Sequence, residues 1–170
     1  LLVADSVYAS AELSRALQQA QVPHKLLNAK NADSDADTLE YAGCKGAVTV
    51  TTALANRGVD IRLGGNPKTF AKQHLLEAGF AQDAVLSAMA GNASSDEELA
   101  LKQKLDDLTA YYRLQTDAHR KEINDLGGLC VIGSKCFDSL AVEQQVRGRS
   151  GRHGAKGESY FCYSLSDPGL

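Results

Sequence analysis

No stretch of this chain is apolar enough to suggest a bilayer-crossing helix. The 170 residues contain no uninterrupted apolar run near the ~18 that a membrane span takes. The opening residues also lack the basic, apolar and small-residue succession of a secretory signal. Positive charge is not in excess: 18 Lys and Arg face 21 Asp and Glu, for a net charge of -3. That excludes the overall basic signature of a nucleic-acid-binding domain. The four cysteines, Cys44, Cys130, Cys136 and Cys162, form no C-x-x-C pair. They also take no zinc spacing with the scattered His24, His74, His119 and His153, so no metal site is expected. Asp33, Asp35 and Asp37 mimic the start of a calcium loop, but Thr38 stands where that loop needs Gly and Cys44 where it needs Glu. These carboxylates read instead as a favourable charge at a helix N-terminus. Two further motifs are missing. There is no G-x-x-x-x-G-K-[ST] to cradle phosphates and no D-E-x-D or D-E-A-D box to hold magnesium. A chain without either is not expected to hydrolyse ATP by itself.

What is present reads as soluble and globular, 44% apolar and 23% charged. Strand-like runs at Leu1–Ala4, His24–Asn28 and Ala47–Thr52 alternate with helical ones. Ser10 is expected to cap a helix carrying Leu13, Ala16, Leu17 and Ala20, with Pro23 ending the segment. A second helix is expected around Asp35–Ala42, stopped by Gly43. The alternation predicts a parallel α/β sheet. It breaks between Thr69 and Leu126, where a charged helical excursion carries Leu101, Leu105, Leu108, Tyr112, Ile123 and Leu126 as a stripe. Residues Gly91–Ser95 read as a loop within it. Strands are expected again at Leu129–Ile132 and Tyr160–Leu165, with a helix at Leu140–Val146 between them. Cys130 and Cys162 fall inside apolar strand-like runs and are expected to be buried, reduced thiols, which favours the cytosol. The chain begins at Leu1 without an initiating Met and reads as one domain, residues 1–170, of a longer protein.

The most informative stretch runs from Gln145 to Gly154 and contains Q-x-x-G-R-x-G-R, with Arg149 and Arg152 spaced by three among glycines. Guanidinium forks suit the charge that builds on a γ-phosphate during transfer. Glycines let the backbone turn tightly and approach a ligand closely. A second cluster, Arg57-Gly58-Val59-Asp60, follows the third strand. Asp60 can accept hydrogen bonds from a ribose or from a moving arginine, and a capping aspartate explains it about as well. In a parallel sheet the two clusters are expected to reach the same edge.

Several motifs together resemble the SecA family of preprotein translocase ATPases, and within it the second nucleotide-binding lobe. Leu27-Asn28-Ala29-Lys30 is similar to L-N-A-K, and Ala42 through Thr49 to A-G-x-x-G-A-V-T. Arg57 through Gly65 resembles R-G-T-D-I-x-L-G-G, Gly127 through Gly133 resembles G-G-L-x-V-I-G, and Arg147 through Gly154 gives R-G-R-S-G-R-x-G. The resemblance implies a RecA-like sheet lacking its own P-loop. It implies that Arg149 and Arg152 face the γ-phosphate of ATP, with Arg152 as the finger. Gly58, Asp60 and Gln145 would lie at the same nucleotide interface. ATP, with its magnesium, would be held by an absent first lobe. The implied partners are that lobe, a preprotein and a membrane translocation channel, with no nucleic acid. The implied location is cytoplasmic, at the inner face of the membrane. The departures are Ala53, Asn56 and Val59 within the family's T-N-M-A-G-R-G-T-D, a largely changed charge pattern from Gly133 to Ser139, and Ala155 in place of an acidic residue. Two other readings stand beside this one: a helicase C-terminal lobe acting on RNA or DNA, and a degenerate lobe serving regulation or interaction.

Overall fold

The computed structural model describes residues 1–27, 39–53, 55, 60–92, 95–135, 137 and 139–165. They form two compact units, Leu1–Gly65 with His119–Leu170, and Asn66–Ala118. The first unit is built on five strands: β1 (Leu2–Ala4), β2 (Lys25–Leu26), β3 (Thr49–Thr52), β4 (Leu129–Gly133) and β5 (Gly157–Phe161). Every neighbouring pair is parallel, in the order β2-β3-β1-β4-β5, with Leu2 opposite both Val50 and Ile132. The helices are α1 (Val7–Gln19), α2 (Pro67–Glu77), α3 (Gln82–Ala90), α4 (Asp96–Asp125) and α5 (Leu140–Arg147), and residues 39–41 are helical as well. This is a RecA-like α/β fold.

Burial explains the strand sequences. All four residues of β3, Thr49-Val50-Thr51-Thr52, are buried, as suits an inner parallel strand covered on both faces. Val3, Leu39, Val131 and Val146 are fully buried, and Leu27 nearly so, in the core that the sheet shares with its helices. Gly43, in the A-G-x-x-G-A-V-T motif, is required by a close approach: a Cβ there would lie 1.9 Å from the Arg62 carbonyl oxygen. The Gly43 carbonyl also accepts from the Gly64 amide at 2.9 Å. The residues after β3 therefore turn back towards the start of that strand.

The second unit has its own core of Ala71, Leu75, Val85, Ala88, Leu101 and Leu105. Asn66 caps α2, its side chain accepting from the Lys68 amide at 3.1 Å, and Pro67 occupies the first turn, where its missing N–H costs nothing. His74 and Tyr112 meet at 2.9 Å between Nδ1 and the phenolic oxygen. The stripe expected on the long helix is largely inward, with Leu101 and Leu105 buried and Leu108 and Tyr112 partly so. α4 runs for 30 residues, about 45 Å at ~1.5 Å per residue. Its end, from His119, belongs to the sheet unit. There Ile123 is buried, Glu122 pairs with Lys45, and Asn124 Oδ1 accepts from the Lys156 amide at 2.7 Å.

Several expectations need correction. The cap of α1 is Ser6, which accepts from the Ala9 amide at 3.1 Å. Ser10 lies inside the helix, buried, and donates to the Val7 carbonyl at 2.7 Å. Ser6 is the cap because the helix starts a turn earlier, at Val7, where Val7 and Tyr8 are exposed and do not join the buried face. β2 is shorter than expected, and the last strand is Gly157–Phe161 rather than Tyr160–Leu165. Cys130 and Cys162 are exposed, not buried. On β4 burial alternates, with Leu129 and Val131 inward and Cys130 outward, so an apolar run did not mean two covered faces. Leu126, on the expected stripe, is exposed as well. The aspartate cluster at 33–37, the first half of the helix expected around Asp35–Ala42, Lys30 and Cys136 lie outside the described residues.

Candidate functional site

α5 is capped by Ser139, whose hydroxyl accepts from the Val142 amide at 3.3 Å, and ends at Arg147. Val146 is fully buried, which fixes the helix on the sheet and presents Gln145, half-buried, beside it. The chain then enters the glycine-arginine loop. Gly151 (φ 68°), His153 (φ 54°) and Gly154 (φ 72°) all adopt left-handed backbone. Glycine takes this conformation freely, whereas an L-residue such as His153 takes it at a cost.

This loop brings three expected residues together. Arg149 is only 5% exposed, and its Nη2 donates to the carbonyls of Ala53 (3.4 Å) and Ala55 (3.2 Å). It thus ties the loop to the segment following β3. Burial, and secondarily the positive charge of Arg152, lowers the Arg149 pKa. Its Nη1 is buried and has no hydrogen-bond partner among the described residues. Arg152 donates through Nε to the Gly148 carbonyl at 2.6 Å and through Nη1 to Asp60 Oδ1 at 3.4 Å. His153 Nε2 lies 2.7 Å from Asp60 Oδ2, and Arg62 Nε lies 4.0 Å from the same oxygen. Burial pushes the Asp60 carboxyl up. The hydrogen bonds and charges of His153 and Arg152 outweigh that and hold it below the ordinary carboxylate value.

Asp60 therefore meets an arginine, as its residue type and position anticipated, across 92 positions of sequence. In the sequence His153 carries no signal beyond its place inside the arginine motif. Gly58 and Arg57 lie outside the described residues. The two clusters were expected to reach the same edge, and they do meet: the arginine loop that leads into β5 contacts the segment after β3 at Ala53, Ala55 and Asp60.

A parallel five-stranded sheet flanked by helices, with arginines from one connection reaching the segment after an inner strand, defines a domain of the P-loop NTPase type. The SecA P-loop domain family matches residues 1–170, and the chain belongs to the SecA family. The protein translocase subunit SecA of Alkaliphilus oremlandii is 38% identical over 164 residues, covering 95% of this chain and 18% of that protein. The subunit of Acetivibrio thermocellus is 40% identical over 163 residues, with the same shares. That of Cutibacterium acnes is 43% identical over 162 residues, or 95% and 17%. The chain thus spans less than a fifth of the length of these relatives. The family's description points to a phosphate-cradling lobe. The 170 residues contain no G-x-x-x-x-G-K-[ST].

Proposed function

We propose that this chain is the second motor lobe of a SecA-type protein translocase. It would close over ATP held by another lobe and supply arginines to the γ-phosphate. The observation that carries the reading is the pair Arg149 and Arg152. Arg149 keeps a buried guanidinium nitrogen without an acceptor among the described residues, while Arg152, its side chain 39% exposed, is held at two of its nitrogens by its own lobe. A cationic fork fixed in place before the phosphate arrives loses little freedom on meeting it, which is how positioned charge favours transfer. The residues present fit a phosphate chain: Arg149 and Arg152 would hold its terminal oxygens, and Asp60 and Gln145 would border them. When bound, ATP with its magnesium would supply the phosphoryl group and the energy for lobe closure. Asp60, by exchanging Arg152 for another partner, would couple closure to the rest of the sheet. In the whole protein that motion would drive preproteins through a membrane channel from the cytoplasmic face.

The burial of Arg149 under the Ala53 and Ala55 carbonyls favours a second reading, in which the lobe has lost catalysis and serves regulation. Steady-state ATP turnover by the full-length protein, with and without Arg152→Ala, separates the two. The motor reading expects a fall on the order of 10³-fold. Equal or absent turnover in both proteins would establish the regulatory reading.

A further inference from the structure

We propose that His153 is a positioning residue for Arg152, acting through the Asp60 carboxylate. The inference rests on the motor-lobe reading above and adds a residue to it. Side chains of consecutive residues in a helix diverge by about 100°, since a turn takes ~3.6 residues. Arg152 and His153 are consecutive, yet both reach one carboxylate, on opposite oxygens. The left-handed backbone at His153 is what bends the chain so that they converge. A residue other than glycine persists in such a conformation where its surroundings hold it, and such residues cluster at functional sites.

The imidazole fixes Asp60 Oδ2, which aims Oδ1 at Arg152 Nη1. With Nε already on the Gly148 carbonyl, the planar guanidinium is held at two points on one edge. Its Nη2 has no partner among the described residues and is the donor left for an incoming anion. Arg62, 4.0 Å from Oδ2 and largely exposed, adds positive charge on the same side of Asp60. His153 therefore sets where Arg152 points without touching the phosphate itself.

The test is a double-mutant cycle in the full-length protein. It compares affinity for a non-hydrolysable ATP analogue with affinity for ADP, which lacks the γ-phosphate. His153→Gly keeps the left-handed turn and removes the imidazole; His153→Asn keeps tolerance of the turn and a hydrogen-bond donor. The expected result is that His153→Gly reduces the preference for the analogue over ADP about 3- to 10-fold, raises KM for ATP in parallel and lowers kcat. His153→Asn restores most of each, and His153→Gly has no further effect once Asp60→Asn is present, because contacting residues do not act additively. Equal weakening of both nucleotides, effects that add in the Asp60→Asn background, or a rise in turnover would overturn the inference. If Arg152→Ala itself leaves the analogue preference unchanged, the motor-lobe reading fails. If Arg152→Ala abolishes it and His153→Gly does not change it, only the role of His153 fails.

Discussion

Two guanidinium groups and an imidazole crowd a single carboxylate at Asp60, and the consequence can be read in acid. Its folded pKa lies below the ordinary aspartate value, so its contribution to stability is fully present above about pH 4. That contribution is lost as pH falls through the lower folded value. The thermal midpoint of the wild type should exceed that of Asp60→Asn at pH 6, and the gap should close as pH falls below about 4, the ordinary aspartate value. A gap independent of pH would show that the ion pairs contribute nothing through charge. At this scale the sequence displayed the arginines clearly, because two guanidinium groups among glycines have few other uses. It did not display their partners. Arg149 spends its hydrogen bonds on backbone carbonyls, which no sequence pattern marks. His153 reaches Asp60 through a backbone conformation that its residue type does not advertise.

Among the elements, α1 shows how close two candidate caps can lie. Ser6 and Ser10 are one helical turn apart, and only Ser6 has the extended backbone that frees its hydroxyl for a first-turn amide. Ser6→Ala should therefore cost about 1 kcal/mol in urea unfolding, in the usual range for a lost N-cap. Ser10→Ala should cost less, since its hydroxyl only donates back to a carbonyl that its own helix can serve. Equal costs would return the cap to an ambiguous position. Strand and helix identities were legible because apolar and β-branched runs alternate with periodic ones along most of the chain. Boundaries were less so. β5 begins at Gly157 and Glu158, residues that no strand propensity favours, because β4 lies alongside to pair with them in register from Leu129 to Gly133.

Across the molecule, two cores mean two sites of vulnerability. Leu75 is fully buried in the helical unit, so Leu75→Ala should cost about 2–5 kcal/mol. The loss should appear in hydrogen exchange as faster exchange over Asn66–Ala118, with less change in β1, β3 and β4, whose amides pair within the other core. Uniform acceleration over the chain would mean that the two units unfold as one. The helical excursion was visible from the break in alternation at Thr69. Its last helix ends at Asp125, while the boundary between the compact units falls inside that helix, where no Gly or Pro marks it.

The sheet also has unequal margins. On one side β2 pairs over only two residues, Lys25 and Leu26, and is too brief to offer a template. On the other, β5 presents five residues with β4 as its neighbour and no further strand among the described residues. Unpaired strand edges invite another chain to extend the sheet, and natural proteins shorten, charge or cover them to prevent it. Self-association of a preparation of these 170 residues alone would therefore be directional, starting at β5, and a charge placed on that margin would be the first remedy for poor solubility.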